Sequence, residues 1–117
     1  MATITVCDTC AFSAEEKTQN GQTGGEIFAA LLEERAGAAV RVRRHSCLMG
    51  CGHPCNAAVS DKGKLTYVLG GFEPSPAAAA ALIEYAEKFA QSETGVVPFR
   101  QWPQGVKGKF ISRVPPL

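Results

Sequence analysis

Val40-Arg41-Val42-Arg43-Arg44-His45-Ser46-Cys47-Leu48-Met49-Gly50-Cys51-Gly52-His53-Pro54-Cys55 is the stretch on which the fold turns. Val40 and Val42 alternate with Arg41 and Arg43, the pattern of a half-buried strand. That strand delivers the chain into a loop punctuated by Gly and Pro that carries three cysteines. Upstream, Gly37 follows Arg35-Ala36 as a left-handed helix stop. Before it, Ile27, Phe28, Leu31 and Leu32 make one apolar stripe at helical spacing. Thr23-Gly24-Gly25-Glu26 has the T-x-x-E form of a capping box. Residues Ala11–Gln22 are polar, contain Asn20-Gly21 and read as a long loop. Thr3–Val6 is a short strand that runs directly into Cys7. Strand, helix, strand predicts a parallel pair joined by a right-handed crossover.

Downstream of the cysteine loop, Asn56–Ser60 and Leu65–Leu69 read as two strands. Asp61-Lys62-Gly63-Lys64 is the hairpin turn between them, and Gly70-Gly71 ends the pairing. Ser75-Pro76 supplies an N-cap followed by Pro at the first helical position. Leu82, Ile83, Ala86, Phe89 and Ala90 then fill one face of a second helix, which stops near Gly95. Pro98, Pro103, Pro115 and Pro116 suggest an extended tail laid over the domain, with Phe99 and Trp102 as its packing anchors. The order β-α-β-β-β-α predicts an α/β fold with a four-stranded mixed sheet and two helices, the outline of a small thioredoxin-like domain. Residues 1–97 form that domain in this reading, and 98–117 are a C-terminal extension packed on it.

At 117 residues the default is one domain. The chain is 45% hydrophobic and 20% charged, ordinary for a globular protein. Twelve basic and eleven acidic residues nearly cancel, so no strong basic field exists to recruit nucleic acid. The start, Met1-Ala2-Thr3-Ile4-Thr5-Val6-Cys7, lacks the basic and long apolar segments of a signal peptide. The longest apolar stretch, Ala77 to Ile83, is far too short for a bilayer. A cytoplasmic protein that avoids membranes is the expectation.

Five cysteines fall in two groups, Cys7-Asp-Thr-Cys10 and Cys47-x3-Cys51-x3-Cys55. In a reducing compartment such groups serve metal binding or redox chemistry more often than structural disulfides. Both groups follow the C-terminal ends of the two parallel strands, an edge where α/β folds commonly place their sites. A [2Fe-2S] cluster needs four ligands, two per iron, and Cys7 with Cys10 and Cys47 with Cys51 supply two pairs. Zinc takes four thiolates at similar spacings. A thiol–disulfide oxidoreductase would use Cys7-x-x-Cys10, but its nucleophile normally opens a helix. Here the helix begins more than ten residues later. Unligated buried thiols would explain the clustering poorly.

The pattern strand–Cys7, helix, strand–Cys47-Leu-Met-Gly-Cys51, hairpin, helix resembles the thioredoxin-like [2Fe-2S] ferredoxins over roughly residues 3–91. That resemblance implies Cys47 and Cys51 on one iron and Cys7 on the other. It departs at the fourth ligand, since residues 11–22 contain no cysteine and Cys10 takes that role. Over its full length the chain is similar to the DUF1636 family of small bacterial metal-binding proteins. The carrying motifs are Cys7/Cys10, Cys47/Cys51/Pro54/Cys55, Thr66-Tyr67-Val68, Val97-Pro98-Phe99-Arg100 and Arg113-Val114-Pro115-Pro116.

These resemblances imply a one-electron carrier with a [2Fe-2S] cluster on Cys7, Cys10, Cys47 and Cys51, and Cys55 as an additional or alternative ligand. They also imply a redox partner protein, a reductase or an electron acceptor, and a homodimer as one assembly. The alternatives are a zinc- or cobalt-binding metal-handling protein, including a cobalamin-related one, and a thiol–disulfide oxidoreductase. No nucleophile–base set, phosphate loop or flavin fingerprint is present, so no enzyme activity is expected. His53 sits among the cysteines as a ligand or a solvent-facing loop residue, and His45 reads as a strand-end surface residue. Arg41, Arg43 and Arg44 form a basic stripe, either a solvated face or a docking strip for an acidic partner.

Overall fold

The fold is described from a computed structural model, which describes residues 2–9, 18–19, 21–46 and 55–116. Strand β1 spans Ala2–Cys7 and is an interior strand of the sheet, second from one edge. A two-residue ladder follows, β2 (Thr18–Gln19) antiparallel to β3 (Gln22–Thr23). It occupies part of the predicted loop; the remainder of that loop, 11–17 and 20, lies outside the described residues.

Helix α1 spans Gly24–Arg35 and carries the predicted capping box. The Glu26 N–H donates to Thr23 Oγ1 at 3.1 Å, and the Thr23 N–H donates to Glu26 Oε1 at 3.1 Å. Two of the orphan amides at the helix start are thereby satisfied, which stabilises the start by about 1 kcal/mol. Phe28 and Leu32 of the predicted stripe are buried, joined by Ala29. The helix ends differently from the sequence expectation. Its C-cap is Ala36 in extended conformation, φ −66° and ψ 128°, and Gly37 is not among the glycines with positive φ. The Ala36 N–H bonds back to the Leu32 carbonyl, so the turn closes without a left-handed residue.

Strand β4 (Val40–His45) pairs parallel with β1, as the strand–helix–strand reading requires. Strands β5 (Ala57–Ser60) and β6 (Thr66–Leu69) form the predicted antiparallel hairpin, and β5 also pairs antiparallel with β1. Helix α2 spans Pro76–Gln91, with Ser75 accepting from the Ala78 N–H. It buries Leu82, Ile83, Ala86 and Phe89, and also Ala79 and Tyr85, which the predicted face omitted. Each large apolar side chain so buried contributes roughly 1.5–3 kcal/mol.

The sheet has five strands, not four, in the order β4-β1-β5-β6-β7. The fifth, β7 (Phe110–Val114), comes from the tail and pairs antiparallel with β6, with a register shift between Val68 and Leu69. Between α2 and β7 the chain makes two short 3-10 turns, Phe99–Gln101 and Gln104–Val106. Trp102 anchors the tail through Nε1–H to the Val97 carbonyl at 2.8 Å and a ring contact with Phe110 at 4.4 Å. Phe99 leans on Trp102 yet stays 63% exposed, so it anchors less than the sequence suggested. Val106, by contrast, is fully buried.

Alternation along the strands sorts the sheet into two faces. Ile4, Val6, Val40 and Val59 point to the side where α1 and α2 pack, and join one core with Phe28, Leu32, Leu82 and Phe89. Thr3, Thr5, Arg41, Arg43 and Ser60 point to the other side. Among the described residues no helix is long and apolar enough to cross a membrane.

Candidate metal centre

Cys7 is the last residue of β1, and Cys55 stands two residues before β5, the antiparallel neighbour of β1. The Cys7 N–H donates to the Asn56 carbonyl at 3.1 Å, which extends the β1–β5 ladder to the cysteines. Cys7 is 1% exposed and Cys55 fully buried, in the same core cluster. One cysteine from each of the two sequence groups therefore reaches the same place. Cys10, Cys47, Cys51 and His53 lie outside the described residues.

Two structural devices fix this corner. On one side, the start of α1 sits against the end of β1. Thr23 Oγ1–H donates to the Asp8 carbonyl at 2.6 Å. A Cβ on Gly25 would lie 2.1 Å from the Cys7 carbonyl oxygen, so only glycine permits this approach. The partial positive charge of a helix N-terminus thus lies beside Cys7 and Asp8. The sequence placed the helix start far from Cys7; the fold brings it back into contact. On the other side, Cys55 and Phe72 are joined backbone to backbone, and the Phe72 ring stacks on Phe28 of α1 at 5.3 Å.

The Cys55 thiol differs from free cysteine. Burial pushes the Cys55 thiol up to about 12, and the nearby Cys7 adds to the rise. The Cys7 sulfur also lies 3.4 Å from Thr9 Oγ1. At neutral pH a resting Cys55 thiolate would require a positive partner such as a metal ion, because burial in apolar surroundings disfavours the charge. Asp8 was not singled out in the sequence. Its Oδ1 is buried and has no hydrogen-bond partner among the described residues. Asn56, 1% exposed, was read only as a strand residue. Neither spacing nor periodicity marks them, since both owe their position to the junction of β1, β5 and α1.

Among the described residues, no group of three or more His, Cys, Asp or Glu side chains comes together as a metal site. The remaining cysteines belong to segments outside the described residues. His45 is exposed at the end of β4, its carbonyl accepting from the Asp8 N–H. The basic stripe is split between faces. Arg44 turns to the helix side and binds Glu33 of α1 through Nε at 3.2 Å and Nη2 at 2.6 Å. That hydrogen bond holds Glu33 below the usual carboxylate range and Arg44 above its own. Arg41 and Arg43 face the opposite side.

A family model described as "Protein of unknown function (DUF1636)" matches residues 4–116, and the chain belongs to that family. No curated protein and no solved structure matches it.

Proposed function

We propose that this DUF1636 member holds a metal centre on cysteine thiolates, with a [2Fe-2S] cluster serving one-electron transfer as the leading reading. The observation that carries it is the meeting of Cys7 and Cys55, one from each cysteine group, in a buried corner at the C-terminal end of β1. Two thiols that close to each other and that poorly solvated suit ligation better than nucleophilic chemistry. Cys10 lies three residues beyond Cys7, and Cys47 and Cys51 precede Cys55 in the same loop sequence, so further sulfur donors are at hand. The burial of Cys55 beside Cys7 favours it as the alternative fourth ligand, in place of one of Cys10, Cys47 and Cys51.

A bound cluster would supply single-electron redox chemistry, its potential tuned by hydrogen bonds and burial. The chain's part is to hold and shield. Gly25 lets the α1 N-terminus stand next to Cys7, where its partial charge favours anionic ligands. Phe28 and Phe72 keep water from the Cys55 side. The strand order β4-β1-β5-β6, with both helices on one face, supports the thioredoxin-like reading, with β7 added at the edge. A reductase or electron acceptor is the partner this reading requires, and a cytoplasmic setting would keep the thiols reduced.

Anaerobic purification followed by iron, sulfide and zinc analysis tests the proposal, for the parent chain and for Cys7→Ser and Cys55→Ser. Iron and sulfide with visible charge-transfer bands, lost in both variants, are the expected result. A colourless protein with about one zinc per chain would assign the same thiols to a structural or metal-handling site instead. A protein without metal would remove the proposal.

A further inference from the structure

The sheet face opposite α1 and α2 carries a concave pocket of about 370 Å³ lined by Thr3, Arg41, Arg43, Ser60, Asp61 and Lys62. Its groups are arranged by the ladder. Ser60 is the cross-strand partner of Thr3, and Thr3 is the partner of Arg41; Thr5 is the partner of Arg43. Two guanidinium groups and two hydroxyls therefore project from adjoining strands on one side of the sheet.

The charges in this pocket are unbalanced. Among the described residues Arg41, Arg43 and Lys62 form no ion pair, whereas Arg35, Arg44, Lys64 and Lys88 each have a carboxylate partner. The pocket's one carboxylate, Asp61, is engaged elsewhere: it pairs with Lys64 at 3.3 Å and accepts from the Lys62 N–H at 2.8 Å. Arg43 is also pre-positioned. Its Nε–H donates to Thr5 Oγ1 at 2.8 Å, which directs the guanidinium without consuming its two terminal nitrogens.

We propose that this pocket binds an oxyanion group, phosphate above all, carried by a small ligand. Guanidinium forks match phosphate and carboxylate geometry in a way an ammonium does not. Donors borne on β4, β1 and β5, three hydrogen-bonded neighbours in the sheet, need little backbone reorganisation to close on such a group. The short Thr3 and Ser60 hydroxyls are half-buried, while the arginines are exposed. Those hydroxyls reach only a ligand that enters the pocket, which favours a small molecule over the acidic surface of a protein. The site is independent of the metal proposal, since none of its residues is a cysteine.

Amide NMR of the full-length chain, titrated with inorganic phosphate at constant ionic strength, reads the site directly. The expected result is saturable shifts at Thr3, Arg41, Ser60 and Lys62. Arg41→Gln/Arg43→Gln should weaken binding by at least about tenfold, and Ser60→Ala by a smaller factor. Arg100→Gln, at an exposed arginine of the tail, should leave it unchanged. The Ser60 variant removes one hydroxyl from an otherwise intact sheet, so it reports even where the double arginine variant fails to fold. Non-saturating shifts, or equal weakening by Arg100→Gln, would reduce the effect to screening and overturn the site. A response to a glutamate-rich peptide but not to phosphate would overturn it in favour of a protein-docking surface.

Discussion

Cys55 and Phe72 exchange both of their backbone hydrogen bonds, Cys55 N–H to the Phe72 carbonyl at 3.0 Å and Phe72 N–H to the Cys55 carbonyl at 3.3 Å. The β5–β6 hairpin thus closes with one more reciprocal pair beyond the strands themselves. The cysteine is tied through it to the Phe28–Phe72 stack and so to α1. A residue that the sequence offers only as an additional or alternative ligand is fully buried and tied into the core.

Phe72→Ala should lower stability by about 3–5 kcal/mol, the range for removing a buried aromatic ring. It should also speed the reaction of Cys55 with a bulky disulfide reagent. Urea denaturation and thiol-modification kinetics on the Cys55-only variant check the two effects together. Lost stability with an unchanged modification rate would show that Phe72 does not shield the thiol.

Gly25→Ala should be far worse than Gly37→Ala. The added Cβ at Gly25 meets the Cys7 carbonyl oxygen at 2.1 Å and Asp8 backbone atoms within 3 Å, none of which can rotate away. A cost of about 1–3 kcal/mol or more follows, with loss of any metal bound at Cys7. At Gly37 the nearest atom is Glu87 Oε2 at 3.8 Å, and the backbone has ordinary φ. That exchange should be neutral or stabilising by about 0.4–1 kcal/mol. Thermal melts of the two variants side by side give the comparison.

Removing residues 98–117 should destabilise the chain by about 2–4 kcal/mol, from the buried Val106 and the part-buried Phe110. The sequence reading has the domain folding within residues 1–97. In the structure the removed segment includes a sheet strand and the Trp102 and Phe110 rings that contact Tyr85. Circular dichroism and denaturation of the shortened chain decide between these. A cooperative transition within about 1 kcal/mol of the parent would restore the cover-segment view.

Asp61 predicts a specific piece of acid sensitivity. Burial alone would raise its pKa, but the hydrogen bonds from the Lys62 N–H and Lys64, together with the N-terminal amine, outweigh it, and the value falls below normal. A carboxyl that titrates lower folded than unfolded stabilises fully above the unfolded value, about 3.9. That contribution disappears as pH drops through the folded value. Asp61→Asn should therefore cost up to about 1 kcal/mol at pH 7 and almost nothing near pH 2. Urea titrations at the two pH values measure it, and an equal cost at both would assign the effect to hydrogen bonding rather than charge.

The parts of this fold that were legible in the sequence are the local ones. Thr23-x-x-Glu26 and Ser75-Pro76 mark helix starts because caps are made by residues within one turn of each other. The turn at Asp61–Lys64 fixes its hairpin for the same reason. Phe110–Val114 was hidden, because five residues between Pro103 and Pro115 look like tail until the open edge of β6 is known. Tyr85 was left out of the core by its phenol, although its ring is buried among Tyr67, Trp102 and Phe110. Arg44 reads as one of three like charges, and only strand register shows that it faces α1. At the candidate centre, Cys7 was readable from its place at a strand end. The burial of Cys55 was not, because its position is set by pairing with Phe72 and by the neighbouring β1.

The placement of β7 at the sheet edge also bears on biosynthesis. Its partner β6 leaves the ribosome before Phe110–Val114 do. During that interval the backbone of Thr66–Leu69 has one flank unsatisfied, with Tyr67 and Leu69 beside it. An unsatisfied flank of that composition is a template for wrong pairing between nascent chains. Slow release of the finished chain would lengthen the exposure, and chaperone demand should rise with it.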